Sequence, residues 1–297
     1  MSLPVRCRLK SIGVIRVGGT DARAFLHAQT TQNIAALAEN QSTLAAWLTA
    51  KGRVRALFDV IATGDAFYLL LPEDQIEPLC RQLRMFVLRS DVVLEPQPDV
   101  VVGALVGDSS DWLRDHGIDL STRTENANYR PACAVDRLTF VEVGTGLVFV
   151  LGDAVEIDTR IADIERGDAD DADLAAIRLG RPKVPRALSE EFIPQMLNLD
   201  VLDAVSFTKG CYPGQEIVAR TKNLGAVKRR LVRFRVGEGA RPEPGDEILT
   251  GSDRIGEVNR AAATESGYEL LAVVQLESLD GELSLAADGR ALELAGT

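Results

Sequence analysis

The chain reads as an α+β protein that ends in a small all-β barrel. Up to Gly225, segments with helical apolar spacing alternate with strand-sized apolar runs. Beyond Gly225 the pattern switches to period two, with turn signals every few residues. At 297 residues the chain is long enough for more than one core.

Gly18-Gly19-Thr20 followed by Asp21 reads as a turn and an N-cap. Residues 22–34 then read as a helix with Phe25, Leu26 and Ile34 on its apolar side. Residues 43–48, 53–62 and 66–71 have strand character, joined at Lys51-Gly52 and at Thr63-Gly64-Asp65. Pro72-Glu73-Asp74 opens a second helix carrying Ile76, Leu79, Cys80, Leu83 and Val87 at helical spacing, with Pro78 fitting only in its first turn. A strand follows at 92–94.

Pro96-Gln97-Pro98 is a junction, so residues 1–97 and 98–226 are expected as two α+β domains, interleaved in part, and 227–297 as the barrel. In the second domain, 100–106 reads as a strand and 111–116 as a short helix. Residues 138–143 and 147–151 read as a hairpin around Gly144-Thr145-Gly146, and 171–179 as a helix. In the last domain Val232-Arg233-Phe234-Arg235-Val236 alternates strictly, with further strands at 255–258, 268–276 and 283–285.

Composition excludes several classes. No apolar run reaches the ~20 residues of a membrane helix, and the N-terminus lacks a signal-peptide core, so a cytoplasmic protein with no membrane contact is expected. Cys7, Cys80, Cys133 and Cys211 form no Cys-x-x-Cys pair, which argues against a self-contained zinc or iron–sulfur site. The net charge of −11 argues against wholesale nucleic-acid binding. The charge is uneven. Residues 156–173 are strongly acidic and read as a solvated linker or helix surface. Residues 209–235 are basic, with Lys209, Arg220, Lys222, Lys228, Arg229, Arg230, Arg233 and Arg235 against Glu216 alone, a pattern for an anion site or for solvated charges.

The densest chemistry lies in residues 206–220. Lys209 and a helix start close behind Cys211 would both favour its thiolate. Two local readings stand for Pro213-Gly214. Either Pro213 is the first helical residue, or the pair forms a type II turn with glycine at the third position. Gly210 and Gly214 both permit positive φ. Glu216 and Arg220 sit at i,i+4 spacing for a surface ion pair.

Lys209-Gly210-Cys211-Tyr212-x-Gly214-Gln215-Glu216 resembles the signature of the YgfZ proteins, folate-binding relatives of the glycine-cleavage T-protein that support iron–sulfur enzymes. Phe192-Ile193-Pro194-Gln195, Asn198-Leu199-Asp200 and Ala204-Val205-Ser206-Phe207 lead into it as in that family. Residues 25–31 look like its N-terminal helix and turn, with Asn33 where an aspartate is common. Residues 49–53 look like its Asp-x-Lys-Gly loop, with Thr49 for the aspartate. The resemblance implies a three-domain ring around a central channel and a pocket for tetrahydrofolate or a derivative. It points to Gln29, Thr31, Lys51 and Arg220 as folate contacts and to Cys211 as the reactive thiol. Iron–sulfur client or assembly proteins are the implied partners, with tRNA as a further contact.

Against the broader T-protein pattern, Arg55 or Ala56 stands where a catalytic aspartate is expected, and neither serves as a carboxylate base. Arg178-Leu179-Gly180-Arg181-Pro182 looks like the pterin-binding Arg-Leu-Glu-Ala-Gly, with Gly180 for the glutamate. The reading is therefore an accessory protein in iron–sulfur assembly or repair rather than an aminomethyltransferase. A folate-dependent one-carbon transferase and an RNA-contacting module through residues 222–235 are the alternatives.

Overall fold

The computed structural model describes residues 4–64, 66–121 and 128–296. Asp65 of the expected turn, and residues 1–3 and Thr297 at the ends of the expected domains, lie outside them.

The chain opens with β1 (Val5–Arg8), β2 (Ile12–Gly18), α1 (Ala22–Gln29), β3 (Gln41–Leu48), β4 (Val54–Thr63), β5 (Ala66–Pro72), α2 (Ile76–Arg84) and β6 (Val93–Pro96). It continues through β7 (Val101–Val106), α3 (Ser110–Asp115), β8 (Arg130–Val135), β9 (Leu138–Gly144), β10 (Leu147–Gly152), α4 (Ala154–Arg160), β11 (Glu165–Arg166) and α5 (Ala169–Arg178). After a long connector come α6 (Gln215–Leu224), β12 (Arg229–Val236), β13 (Glu247–Thr250), β14 (Asp253–Thr264), β15 (Gly267–Gln275), β16 (Leu283–Leu285) and β17 (Ala291–Leu294).

Among the described residues the first eleven strands form one sheet in the order β11-β1-β7-β10-β9-β8-β3-β4-β5-β2-β6. The last six close a barrel in the order β12-β15-β14-β13-β16-β17. The two halves of the long sheet meet at a short β3–β8 pair, Gln41 opposite Pro131 and Ser42 opposite Arg130. β1 crosses to the far half and pairs with β7, Val5 opposite Val106.

β4 carries apolar residues on both faces and reaches three cores, Ile61 joining the one shared with the far half of the sheet. Ala56, Phe58, Val60 and Ala62 face the core under α1 and α2 with Trp47, Leu26 and Leu79. Val54 and Leu57 face a central core with Phe192, Leu199, Val205, Tyr212 and Val218 of the connector and Leu231 and Val273 of the barrel. The connector therefore fills the space between sheet and barrel, and the residues around the signature are anchored by apolar burial on both sides. Among the described residues no helix is long and apolar enough to cross a membrane.

Three local expectations are corrected. The first helix ends at Gln29, because Thr30 turns extended and bridges to Trp47 on β3. Asp21 does not cap α1. Its carboxylate accepts instead from the Asp91 N–H (2.8 Å), while Asp91 accepts from Thr20. The acidic run is largely paired: Asp168 and Asp171 form the capping box of α5, Asp170 binds Arg241, Asp173 binds Arg260, and Asp158 faces Arg6 and Arg8.

Candidate functional site

Three segments distant in sequence converge on the signature: the end of α1, the β3–β4 turn, and the start of α6. Thr31 joins the first to the others. Its N–H donates to the Ala46 carbonyl, and its carbonyl accepts from the Ser206 N–H (2.9 Å each). Its hydroxyl donates to the Ala204 carbonyl (2.7 Å) and accepts from the Ala46 N–H (2.9 Å). Both hydroxyl roles are thus taken up inside the protein, and the residue acts as a clasp between β3 and the signature.

Lys209 is buried, at 8% exposure. Its ammonium donates to the carbonyls of Thr30 (2.7 Å), Gln32 (3.1 Å) and His27. Three donors meet three carbonyls at the end of α1, where carbonyls lack helical partners and the dipole favours a cation. The nitrogen also lies 5.1 Å from the centre of the buried Tyr212 ring. Burial pulls the Lys209 pKa down to about 8 and pushes the Tyr212 phenol up to about 12. Lys209 is therefore committed to bracing the loop on α1, which replaces the expectation that it serves the thiol directly.

Of the two readings for Pro213-Gly214, the turn is the one formed. Gly214 has φ 79° and ψ 1°, and the Gln215 N–H donates to the Tyr212 carbonyl (3.2 Å), as in a type II turn. α6 starts at Gln215, so Pro213 is not its first residue, and Cys211 stands four residues ahead of it, exposed. Gly214 packs against the β3–β4 turn: a Cβ there would lie 2.5 Å from the Thr49 oxygen and 2.8 Å from the Gly52 Cα. Gly52, at φ 71°, meets Ile217 of α6 in the same way. Gly210 has open space around it and no positive φ, so of the two signature glycines only Gly214 is required by the backbone.

Gly214→Ala is expected to lower stability by about 2–3 kcal/mol, from left-handed strain plus overlap with fixed backbone. Gly210→Ala should change it by less than about 0.5 kcal/mol. Urea midpoints of the two variants check this, and equal midpoints would refute the packing argument.

The same turn carries Lys51, which is exposed at its tip. Thr49 accepts from the Arg53 N–H through its hydroxyl (3.1 Å), a turn-closing role open also to the aspartate it replaces. Gln29 accepts from the Trp47 indole (3.4 Å). Arg55 lies over Trp47 at 5.0 Å and pairs with Glu190 at 2.8 Å. Glu216 and Arg220 are both exposed on α6, and the i,i+4 ion pair does not form. Lys222 instead sits 3.5 Å from the centre of the Phe207 ring.

The basic run is only partly paired within the fold, and Arg220, Lys222 and Lys228 stay exposed. Arg230 makes a forked pair with Asp200 (2.9 and 3.0 Å), Arg229 meets Glu257 (3.2 Å), and Arg233 and Arg235 face the buried Glu269. Glu269 is shared with Arg178 as well, so these three carboxylates take up only part of the charge on which an RNA-contacting module at 222–235 would depend.

A second polar centre escaped the sequence reading. Where the sheet, α5, the connector and the barrel meet lies a cavity of about 70 Å³, lined in part by Asp59, Asp173, Arg181, Lys183 and Arg260. Arg181 Nη2 lies 2.7 and 2.9 Å from the two Asp59 oxygens, Arg260 pairs with Asp173, and Lys183 donates to Ser11 (2.9 Å). The fully buried Asn259 fixes Lys183 by accepting from its N–H (2.9 Å) and donating to its carbonyl (2.8 Å). Of the expected folate contacts, Gln29, Thr31, Lys51 and Arg220, none lines this cavity. Gly180 ends α5: at φ 67° its N–H donates to Ile177 and that of Arg181 to Ala176 (2.9 Å each).

The chain is 30% identical over 93% of its length to a protein of Cronobacter sakazakii named tRNA-modifying protein YgfZ, and covers 81% of that protein. A protein of the same name from Aliivibrio fischeri is 28% identical over 92% of the chain and 85% of its own length. Among solved structures, the glycine cleavage system aminomethyltransferase T of Bartonella henselae superposes with a TM-score of 0.75 over 99% of this chain and 86% of its own, at 15% identity, and so shares the fold. No family model matches the chain.

Proposed function

The chain belongs to the YgfZ family, and from that premise we propose that it is an accessory protein to iron–sulfur enzymes, tRNA-modifying ones among them, acting through the thiol of Cys211. The observation that carries this reading is an exposed thiol on a loop whose neighbours are fixed. Lys209 and Tyr212 are buried on one side, and the Gly214 turn is packed on the other. Such a loop holds a nucleophile in place while leaving it open to a partner's sulfur or iron. Where the resemblance leads one to expect a carboxylate base stands Arg55 or Ala56, and Arg55 is paired with Glu190 and lies over Trp47, which favours an accessory role over one-carbon transfer.

The cavity beside α5 is not lined by the expected folate contacts Gln29, Thr31, Lys51 and Arg220, and it is too small for a reduced folate. Its volume of about 70 Å³ is well below the ~300 Å³ at the lower end for small-molecule sites. Arg181 and Asp59 satisfy each other within it, and Gly180 offers no side chain toward a pterin. No step of the proposal runs through a folate.

The test is complementation of a strain lacking the protein, read as the product of an iron–sulfur tRNA-modifying enzyme. Cys211→Ala is expected to fold normally, because the side chain is exposed, and to restore less than about a tenth of the modified product. Full restoration by Cys211→Ala would refute the role given to the thiol.

A further inference from the structure

Besides the basic run after Lys209, a different face of the molecule gathers cations. Arg6, Arg8, Lys10 and Arg166 line a groove of about 330 Å³ at the β1–β11 edge, and Asp158 is the carboxylate among its lining residues. Arg6 and Arg8 project from the same side of β1, about 6.6 Å apart along the strand, while Cys7 between them turns inward. Asp158 lies 3.6 Å from Arg6 and 3.5 Å from Arg8, so one negative charge is shared by two guanidinium groups. Arg8, Lys10 and Arg166 are all exposed.

The register sharpens the case. β1 and β11 run parallel with Arg6 directly beside Arg166. Neighbouring strands lie about 4.8 Å apart, so two like charges are held side by side at a mutual cost. Glu165 precedes Arg166 on β11, and Asp168 and Asp171 sit in the capping box of α5; none of the three is among the residues lining the groove. In a chain of net charge −11, this leaves three cations in excess on one groove. They are strung along an edge from residue 6 to residue 10, rather than gathered about a point. A line of cations matches the phosphates of a polynucleotide backbone better than one small anion.

We infer that this groove is a contact for the phosphodiester backbone of RNA, used when the protein serves a tRNA-modifying enzyme; the inference rests on that side of the function proposed above. Backbone contacts of this kind set position rather than sequence choice, so the binding is salt-dependent and tolerant of tRNA identity.

The experiment is a titration of full-length protein with an unmodified tRNA transcript at several salt concentrations. It compares wild type with the triple variant Arg8→Gln, Lys10→Gln, Arg166→Gln, and with Arg220→Gln, Lys222→Gln on α6. All five positions are exposed, so the variants should retain the fold. The expected result is a slope of log affinity against log salt that is shallower by about three in the triple variant, with affinity at least about tenfold weaker at low salt and little change in the α6 variant. An unchanged slope in the triple variant overturns the inference, as does a loss confined to the α6 variant or no binding by wild type at low salt. The Cys211 complementation reads the proposed function separately, so failure of the groove and failure of that function are distinguishable.

Discussion

Arg181→Met is expected to lower stability by about 4 kcal/mol, because it strands the Asp59 carboxylate where sheet, α5 and barrel meet. Both side chains are about seven-eighths buried, so water cannot replace the lost partner cheaply. Removing both charges, as Asp59→Leu with Arg181→Met, should recover most of the loss, since a buried pair is often neutral against apolar replacements. Urea unfolding at constant m-value is the measurement. A double variant as unstable as the single would mean that the pair is not the cause.

Lys209→Met should cost about 3–4 kcal/mol, because it leaves the carbonyls of His27, Thr30 and Gln32 without their donor. The effect carries a pH signature. Burial holds the folded-state pKa near 8, below the ordinary lysine value of 10.5. Between those values the unfolded chain binds a proton that the folded chain does not, so stability rises with pH there. The burden of burying the charge is fully present below pH 8 and is relieved toward pH 10.5. The stability gap between wild type and Lys209→Met should therefore widen from pH 7.5 to pH 10. A gap that stays constant would mean that the three carbonyls and the end of α1 offset the cost of burial and leave the lysine at its ordinary value. Because the signature hangs on this lysine, the variant should also lose complementation, without any change at Cys211.

How much of this was legible follows from where each interaction closes. The signature could be read because its information is contiguous: a cysteine between a lysine and a Pro-Gly pair, with helix formers after it, lies within fifteen residues. Even the turn was visible as one of two options, but choosing it required Gly52, more than 160 positions away, to press on Gly214. Lys209 was visible as a charge near a thiol, yet its partners lie 177 to 182 positions away. The basic run was visible as composition. Its partial pairing was not, because strand register decides it: Arg235 stands opposite Glu269 only once β12 and β15 pair.

The sequence by itself determined the α+β class, the terminal barrel, most element positions, the signature around Cys211 and the family, since each depends on local periodicity, turn chemistry or a contiguous motif. Only the tertiary structure decided that Lys209 braces α1, that Gly180 is a helix-ending glycine, that Asp59 and Arg181 pair where sheet, α5 and barrel meet, and that four cations share one carboxylate in a groove on β1 and β11. Burial and charge pairing are set by which distant segments pack together, and a linear pattern carries no term for that distance.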